Sequence, residues 1–178
     1  MMRPVFGAAL LLAMPAAAQT PAFHPGPVLP DVAPVATIAS DMVIPKGTVF
    51  KVTFDVTGQA TPGTVNTRFE SAARFLNAHV EAGVPEADIH VAYVVHSKAI
   101  VDLLRPAPYA ARTGGKTNAT AALVAKLLAH NVDFYVCGQS AAAQGVANAD
   151  LLPGVKMAIS ASSAHALLGM QGYTLIPF

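Results

Sequence analysis

The sequence predicts an α/β sandwich of three layers, with a mostly parallel sheet of about five strands between helices. Three observations predict it. Short β-branched and aromatic stretches alternate along the chain with stretches of helical period. One of the former, VDFYVC at 132–137, is almost continuously apolar, as a strand covered on both faces is. Cap and turn residues punctuate the transitions, and no internal repeat suggests a solenoid or propeller. With 178 residues, 53% of them hydrophobic, the chain is long and apolar enough for one domain with one core.

Two segments precede that domain. Residues 1–18 carry Arg3, an apolar stretch from Val5 to Met14 and then Ala16-Ala17-Ala18, the plan of a secretory signal cut after Ala18. The apolar stretch is about half of the roughly 20 residues that a membrane span needs, so no membrane association is expected after cleavage. This places the mature protein, beginning at Gln19, in the periplasm or outside the cell. Residues 19–47 hold Pro21, Pro25, Pro27, Pro30, Pro34 and Pro45, too many for a regular helix. They are expected to form an extended arm that buries Val28, Val32, Val35, Ile38, Met42 and Ile44 on the domain or on a neighbouring subunit.

The domain itself spans 48–178. TVFKVTFDVT (48–57) sets Phe50, Val52, Phe54 and Val56 against Val49, Lys51, Thr53 and Asp55, the alternation of a strand with one strongly apolar face. A helix follows, with Thr67 and Glu70 spaced as a capping box, Phe69, Ala72, Ala73, Leu76 and Val80 on one stripe, and Gly83 as its stop. DIHVAYVVH (88–96) is a second strand ending on His96, and SKAIVDLL (97–104) a short helix capped by Ser97. Residues 105–116 read as a loop. Asn118 caps a helix over 118–131 that lines up Thr120, Leu123, Val124 and Leu127. After VDFYVC come a short helix (140–148), a strand (154–161), a helix (162–172) ended by Gly172, and a final strand in YTLIPF.

The chemistry concentrates on Cys137, the only cysteine. In an oxidising compartment a lone cysteine is an intermolecular bridge, an inert buried thiol or a reactive one. In open α/β sheets the working crevice lies at the carboxyl ends of the strands, and both His96 and Cys137 end predicted strands. Gly138, Gln139 and Ser140 form the turn into a helix whose amide N–H groups would favour thiolate over thiol. Arg105, Arg112 and Lys116 leave the same edge on the loop and could bring a cation over the sulfur. His96 is a candidate base or thiolate partner, or else bonds to a loop backbone. Asn118 can contribute to the site besides capping its helix.

Several classes drop out. A net charge of +1, with 12% charged residues, supports no nucleic-acid or anionic-lipid partner. TGQATPGTVN after the first strand lacks a dinucleotide or P-loop glycine pattern, so no nucleotide cofactor is expected. Zinc would need about four ligands, of which His96 and Cys137 are at most two. No CxxC is present for a disulfide oxidoreductase, and a Cys-His protease lacks a third group.

VDFYVCGQSAAAQGV, followed by LLPGVKMAISASSAHALLGMQGYTLIPF, resembles the DsrE/DsrF-like family. VAYVVHSKAIVDLL, TNATAALVAKLLAHNVDFYVCGQS and the arm's HPGPV are similar to its exported, periplasmic branch, although the family often has glycine where this chain has Ser97. The resemblance implies a Rossmann-like domain that assembles as a homotrimer or hexamer. It also implies a part in sulfur relay, where the strand-end cysteine, here Cys137, takes up sulfur as a persulfide and passes it to an acceptor. The expected reading is therefore an exported sulfur carrier or sulfurtransferase with Cys137 as nucleophile and His96 tuning it, bound groups being held by Gly138, Gln139, Ser140, Ser97, Asn118 and Arg112. Its alternative is a non-catalytic oligomeric module that binds a small anion or thiol metabolite in the same crevice.

Overall fold

The computed structural model describes residues 22–177, so the expected signal segment lies outside the described residues. Five strands, Phe50–Val56 (β1), Ile89–Val95 (β2), Val132–Cys137 (β3), Lys156–Ala158 (β4) and Thr174–Ile176 (β5), form one sheet in the order β4-β3-β2-β1-β5. Every pairing is parallel. The helices are Glu70–Glu81 (α1), Pro106–Arg112 (α2), Thr120–Ala129 (α3), Gly138–Ala143 (α4) and Ala161–Met170 (α5).

From β1 to β4 the chain steps always to the same side, and right-handed crossovers then put the intervening helices on one face. The return from β4 to β5, beyond β1, runs the other way and puts α5 on the opposite face. The main core lies under the first layer: Phe54, Phe69, Tyr93 and Phe134 form an aromatic cluster with centroids 5.1–5.4 Å apart. Under α5 a smaller cluster joins Ala92, Val94, Ala164 and Leu168. Strand alternation follows from this. Val52, Phe54 and Val56, Val91, Tyr93 and Val95, and Phe134 and Val136 point into the main core. Asp55, Val94, Tyr135 and Cys137 therefore belong to the α5 face.

Several local expectations need correction. Asn66, not Thr67, caps the first helix: its side-chain oxygen accepts from Arg68 N–H at 3.1 Å and a 3-10 turn, Thr67–Phe69, leads into α1. Asn66 prevails because it is anchored elsewhere, donating to Gly58 O and Asp102 Oδ2 at 2.9 and 2.8 Å. Residues 97–103 form a 3-10 helix, and Ser97 does not cap it; its φ is 54°, the left-handed region. The stretch expected as a loop contains α2, which starts on Pro106, where proline's missing N–H is no loss, and buries Tyr109 completely. α4 begins at Gly138, two residues earlier than expected.

In the arm, Leu29, Ala33 and Val35 are the buried apolar side chains, and Val28, Val32 and Ile44 pack in part. Ile38 and Met42, expected to be buried, are exposed. The difference arises because the arm docks through its backbone on one side chain, Asn77 of α1, which grips residues 28–33 and leaves 38–43 beyond its reach.

Candidate functional site at the carboxyl edge of the sheet

Cys137 ends β3 with only 6% of its surface exposed. Burial by itself would raise the thiol pKa. It is outweighed by the amide N–H and hydroxyl of Ser140 and the amides of Ala161 and Gln139, so the thiol lies below its ordinary value. Two of those amides open α4 and one opens α5. The sulfur therefore sits between two helix starts that chain order separates by a strand. Gly138 is needed where it stands: a Cβ there would lie 2.6 Å from Ala158 O and 3.1 Å from Ile159 O, both backbone atoms. Only glycine lets the turn after Cys137 approach the end of β4 this closely.

His96 follows β2 in extended conformation and keeps the ladder through its N–H to Val56 O at 3.0 Å. Since Val95 pairs with Val136, His96 is the next-strand neighbour of Cys137 on the same face. The His96-Ser97 corner is tied to the cysteine turn by two bonds. Ser97 N–H donates to Ser140 Oγ at 3.1 Å, and Gln144 Nε2 donates to Ser97 O at 2.8 Å. Holding both groups of one residue requires the left-handed backbone of Ser97, a conformation that glycine adopts without steric cost. Ser97 spends its hydroxyl on His96 Nδ1 at 3.2 Å.

The sequence reading missed the residues behind His96. Asp55, on β1, accepts from His96 Nε2 at 3.1 Å with either oxygen and from His165 Nε2, on α5, at 2.8 Å. Asp55 was visible only as one member of the polar alternation in TVFKVTFDVT, and His165 had no partner at helical spacing. The sign that could have exposed Asp55 is its position, one residue from the carboxyl end of a parallel strand and on the parity that faces α5. Among the described residues no group of three or more His, Cys, Asp or Glu is placed to hold a metal ion.

The remaining expected site residues are engaged with other partners. Asn118, 7% exposed, donates to Asp102 O and Leu104 O at 3.0 and 2.8 Å and accepts from Thr120 N–H at 3.0 Å, so its amide is fully used in fixing the start of α3. Arg112 donates to Gln144 O and Gly145 O at 3.2 and 3.0 Å, bracing the end of α4, and Arg105 donates to Leu151 O at 2.8 Å. The groups that lower the thiol are hydrogen-bond donors without charge, where a loop cation was expected. The arginines are instead drawn, from the two ends of α2, to carbonyls at the ends of elements far along the chain.

The pattern of the DsrE/DsrF-like family matches residues 51–178. The chain belongs to that family. Among solved structures, it is similar to the protein of unknown function MTH1491 from Methanobacterium thermoautotrophicum. Identity there is 21%, over 72% of this chain and 99% of that one, with a TM-score of 0.48. It is also similar to the ychN protein from E. coli, at 16% identity over 72% of this chain and 100% of that one, with a TM-score of 0.49. No curated protein was found to match. In this DsrE/DsrF-like chain the cysteine edge adjoins an apolar groove of about 320 Å³, lined by Tyr135, Met157, Ala158, Ile159, Leu167 and Leu168 among others. Ala158, in that lining, is the register partner of Cys137.

Proposed function

We propose that this DsrE/DsrF-like protein is an exported sulfur carrier in which Cys137 takes up sulfur as a persulfide and passes it on. The observation that carries the reading is the bed of donors around the sulfur, from Gln139, Ser140 and Ala161, which favours negative charge on it despite burial. In the uptake step the Cys137 thiolate attacks the outer sulfur of a donor persulfide. The donor's S–S bond breaks and its electron pair leaves with the donor thiolate, so that no external oxidant or reductant is needed. Donors aimed at the thiolate can also hold the anionic persulfide. Incubation with inorganic polysulfide should add one sulfur atom's mass to Cys137, removable by dithiothreitol, and Cys137→Ser should gain none. The low exposure of the thiol favours the second reading, a module that binds a small anion or thiol metabolite without reacting. Labelling of Cys137 only after unfolding, with no sulfur uptake, would decide for it.

Export and assembly belong to the same proposal. Arg3, the apolar run to Met14 and Ala16-Ala17-Ala18 support cleavage after Ala18. Ile159 and Leu167, 80% and 57% exposed in the lining of the apolar groove, and Met170, 84% exposed at the end of α5, support a homotrimer or hexamer that covers them. Protein recovered from the exported fraction should have the mass of a chain starting at Gln19 and scatter light as such an oligomer. A full-length monomer as the sole species would refute both parts.

A further inference from the structure

The geometry points to Asp55 as the residue that sets the proton-handling state of the Cys137 site, acting through His96 and assisted by His165; this rests on the sulfur-carrier reading. A carboxylate only accepts hydrogen bonds, so a histidine nitrogen bonded to it must carry a proton. Asp55 thereby fixes His96 with Nε2 protonated, at 3.1 Å, and leaves Nδ1 as the nitrogen with a lone pair. Ser97 Oγ, 3.2 Å from Nδ1, is placed to donate to that lone pair. The imidazole is partly open to solvent, with 27% of its side chain exposed, and His96 follows directly on the Val95–Val136 pair, so continuing that register by one residue sets its backbone beside Cys137.

His165 holds the carboxylate from the other side. Its Nε2 is 2.8 Å from Asp55, while its Nδ1 is buried with no partner among the described residues. A side chain present only for packing would not keep an orphaned nitrogen. His165 also lies one turn along α5 from Ala161, whose amide is among the groups that lower the thiol. The two histidines thus connect the β1 carboxylate to both walls of the cysteine site. The other titratable groups around it are Arg68, which lines a cleft of about 240 Å³ with Asp55, and on the α5 face Lys51, Tyr135, Tyr173 and the Asp133–Lys156 pair.

This arrangement serves the discharge step. An acceptor thiol gives its proton to Ser97 Oγ as that hydroxyl passes its own to His96 Nδ1 and, as thiolate, attacks the outer sulfur of the Cys137 persulfide. The S–S bond to Cys137 breaks, and its electron pair stays on Sγ. The products are the acceptor persulfide, the Cys137 thiolate and a His96 imidazolium facing Asp55, so protons, sulfur and electrons balance. Asp55 is a positioning residue for this step, since it touches neither sulfur.

The test loads wild type, Asp55→Asn and His165→Gln with inorganic polysulfide and follows loss of the added sulfur mass to glutathione across pH. Asp55→Asn should load to the wild-type end point but discharge roughly 10- to 100-fold more slowly, with a displaced pH–rate profile, because asparagine does not impose the Nε2-protonated tautomer. His165→Gln should give a smaller slowing of the same kind. Thermal unfolding checks both variants, and if Asp55→Asn fails to fold, His165→Gln carries the test. Normal loading with unchanged discharge rate and profile in the folded variants overturns the role of Asp55 alone. Wild type that takes up no sulfur overturns the carrier reading and this one with it.

Discussion

Asn77→Ala is expected to release the arm and lower stability by roughly 3–5 kcal/mol, since five backbone groups lose their side-chain partner at about 1 kcal/mol each. Asn77 is fully buried in α1. Its Oδ1 accepts from Val28 and Leu29 N–H at 3.1 and 2.9 Å, and its Nδ2 faces the carbonyls of Leu29, Val32 and Ala33 at 3.1–3.2 Å. The arm passes so close that a Cβ on Gly26 would fall 2.1 Å from the Asn77 side chain. Other fastenings are peripheral: Arg74 Nη1 donates to Pro34 O at 2.9 Å, Thr37 Oγ1 donates to Glu81 at 2.7 Å, and Lys126 pairs with Asp31 at the surface. An exposed ion pair adds about 1 kcal/mol at most, too little to replace the amide. Urea denaturation should show a lower midpoint, and limited proteolysis should cut within residues 22–36 before the α/β domain. An unchanged midpoint with a protected arm would contradict the assignment of Asn77 as the anchor.

Ser140→Ala is expected to reduce the reactivity of Cys137 toward iodoacetamide by about 10- to 100-fold at a pH below the thiol's own pKa. A hydrogen bond to a charged group contributes about 1.5–3 kcal/mol, and 1.36 kcal/mol corresponds to one pKa unit. Burial of Cys137 raises the thiol, and the Ser140 hydroxyl is one of the few groups opposing it. Without that hydroxyl the balance moves toward the neutral form, while the Ser140 and Gln139 amides remain. The loss also leaves Ser97 N–H without its acceptor, so that only the Gln144 bond still ties the corner that carries His96. Linkage gives the matching sign in stability. The lowered thiol stabilises the fold fully above the ordinary value of about 8.5, and this contribution fades as pH falls through the folded-state pKa. Relative to Cys137→Ala, wild type should therefore gain stability as pH rises across that window, and Ser140→Ala should gain less. Equal labelling rates for wild type and Ser140→Ala at every pH would contradict the role given to the hydroxyl.

Local signals located the elements because each depends on neighbours in sequence. Alternation in TVFKVTFDVT, the stripe from Phe69 to Leu76, Gly83 with φ 92° at the end of α1, and the apolar VDFYVC each identify an element, and parallel pairing follows from strands separated by helices. Cys137 and His96 were legible for the same reason: the ends of strands can be read from the chain, and the carboxyl edge is where such sheets work. Capping was less legible. Thr67 and Ser97 have the right chemistry, but Asn66 won its cap through bonds to Gly58 and Asp102, and Ser97 was drawn into the left-handed region by Ser140 and Gln144.

By itself the sequence determined the layered α/β class, the order of its strands and the strand-end position of its one thiol, since these follow from period, cap residues and composition. Only the tertiary structure decided what surrounds that thiol. The reversal between β4 and β5 carries α5 across the opposite face of the sheet, which brings Ala161 N–H to the sulfur and His165 to an aspartate 110 positions earlier. It also decided that Arg112 would brace a helix end rather than attend the cysteine, and that one buried amide, Asn77, would hold the arm. Such contacts join residues far apart in the chain, and their partners are selected by which faces the crossovers bring together, a property of the assembled sheet that no window of sequence contains.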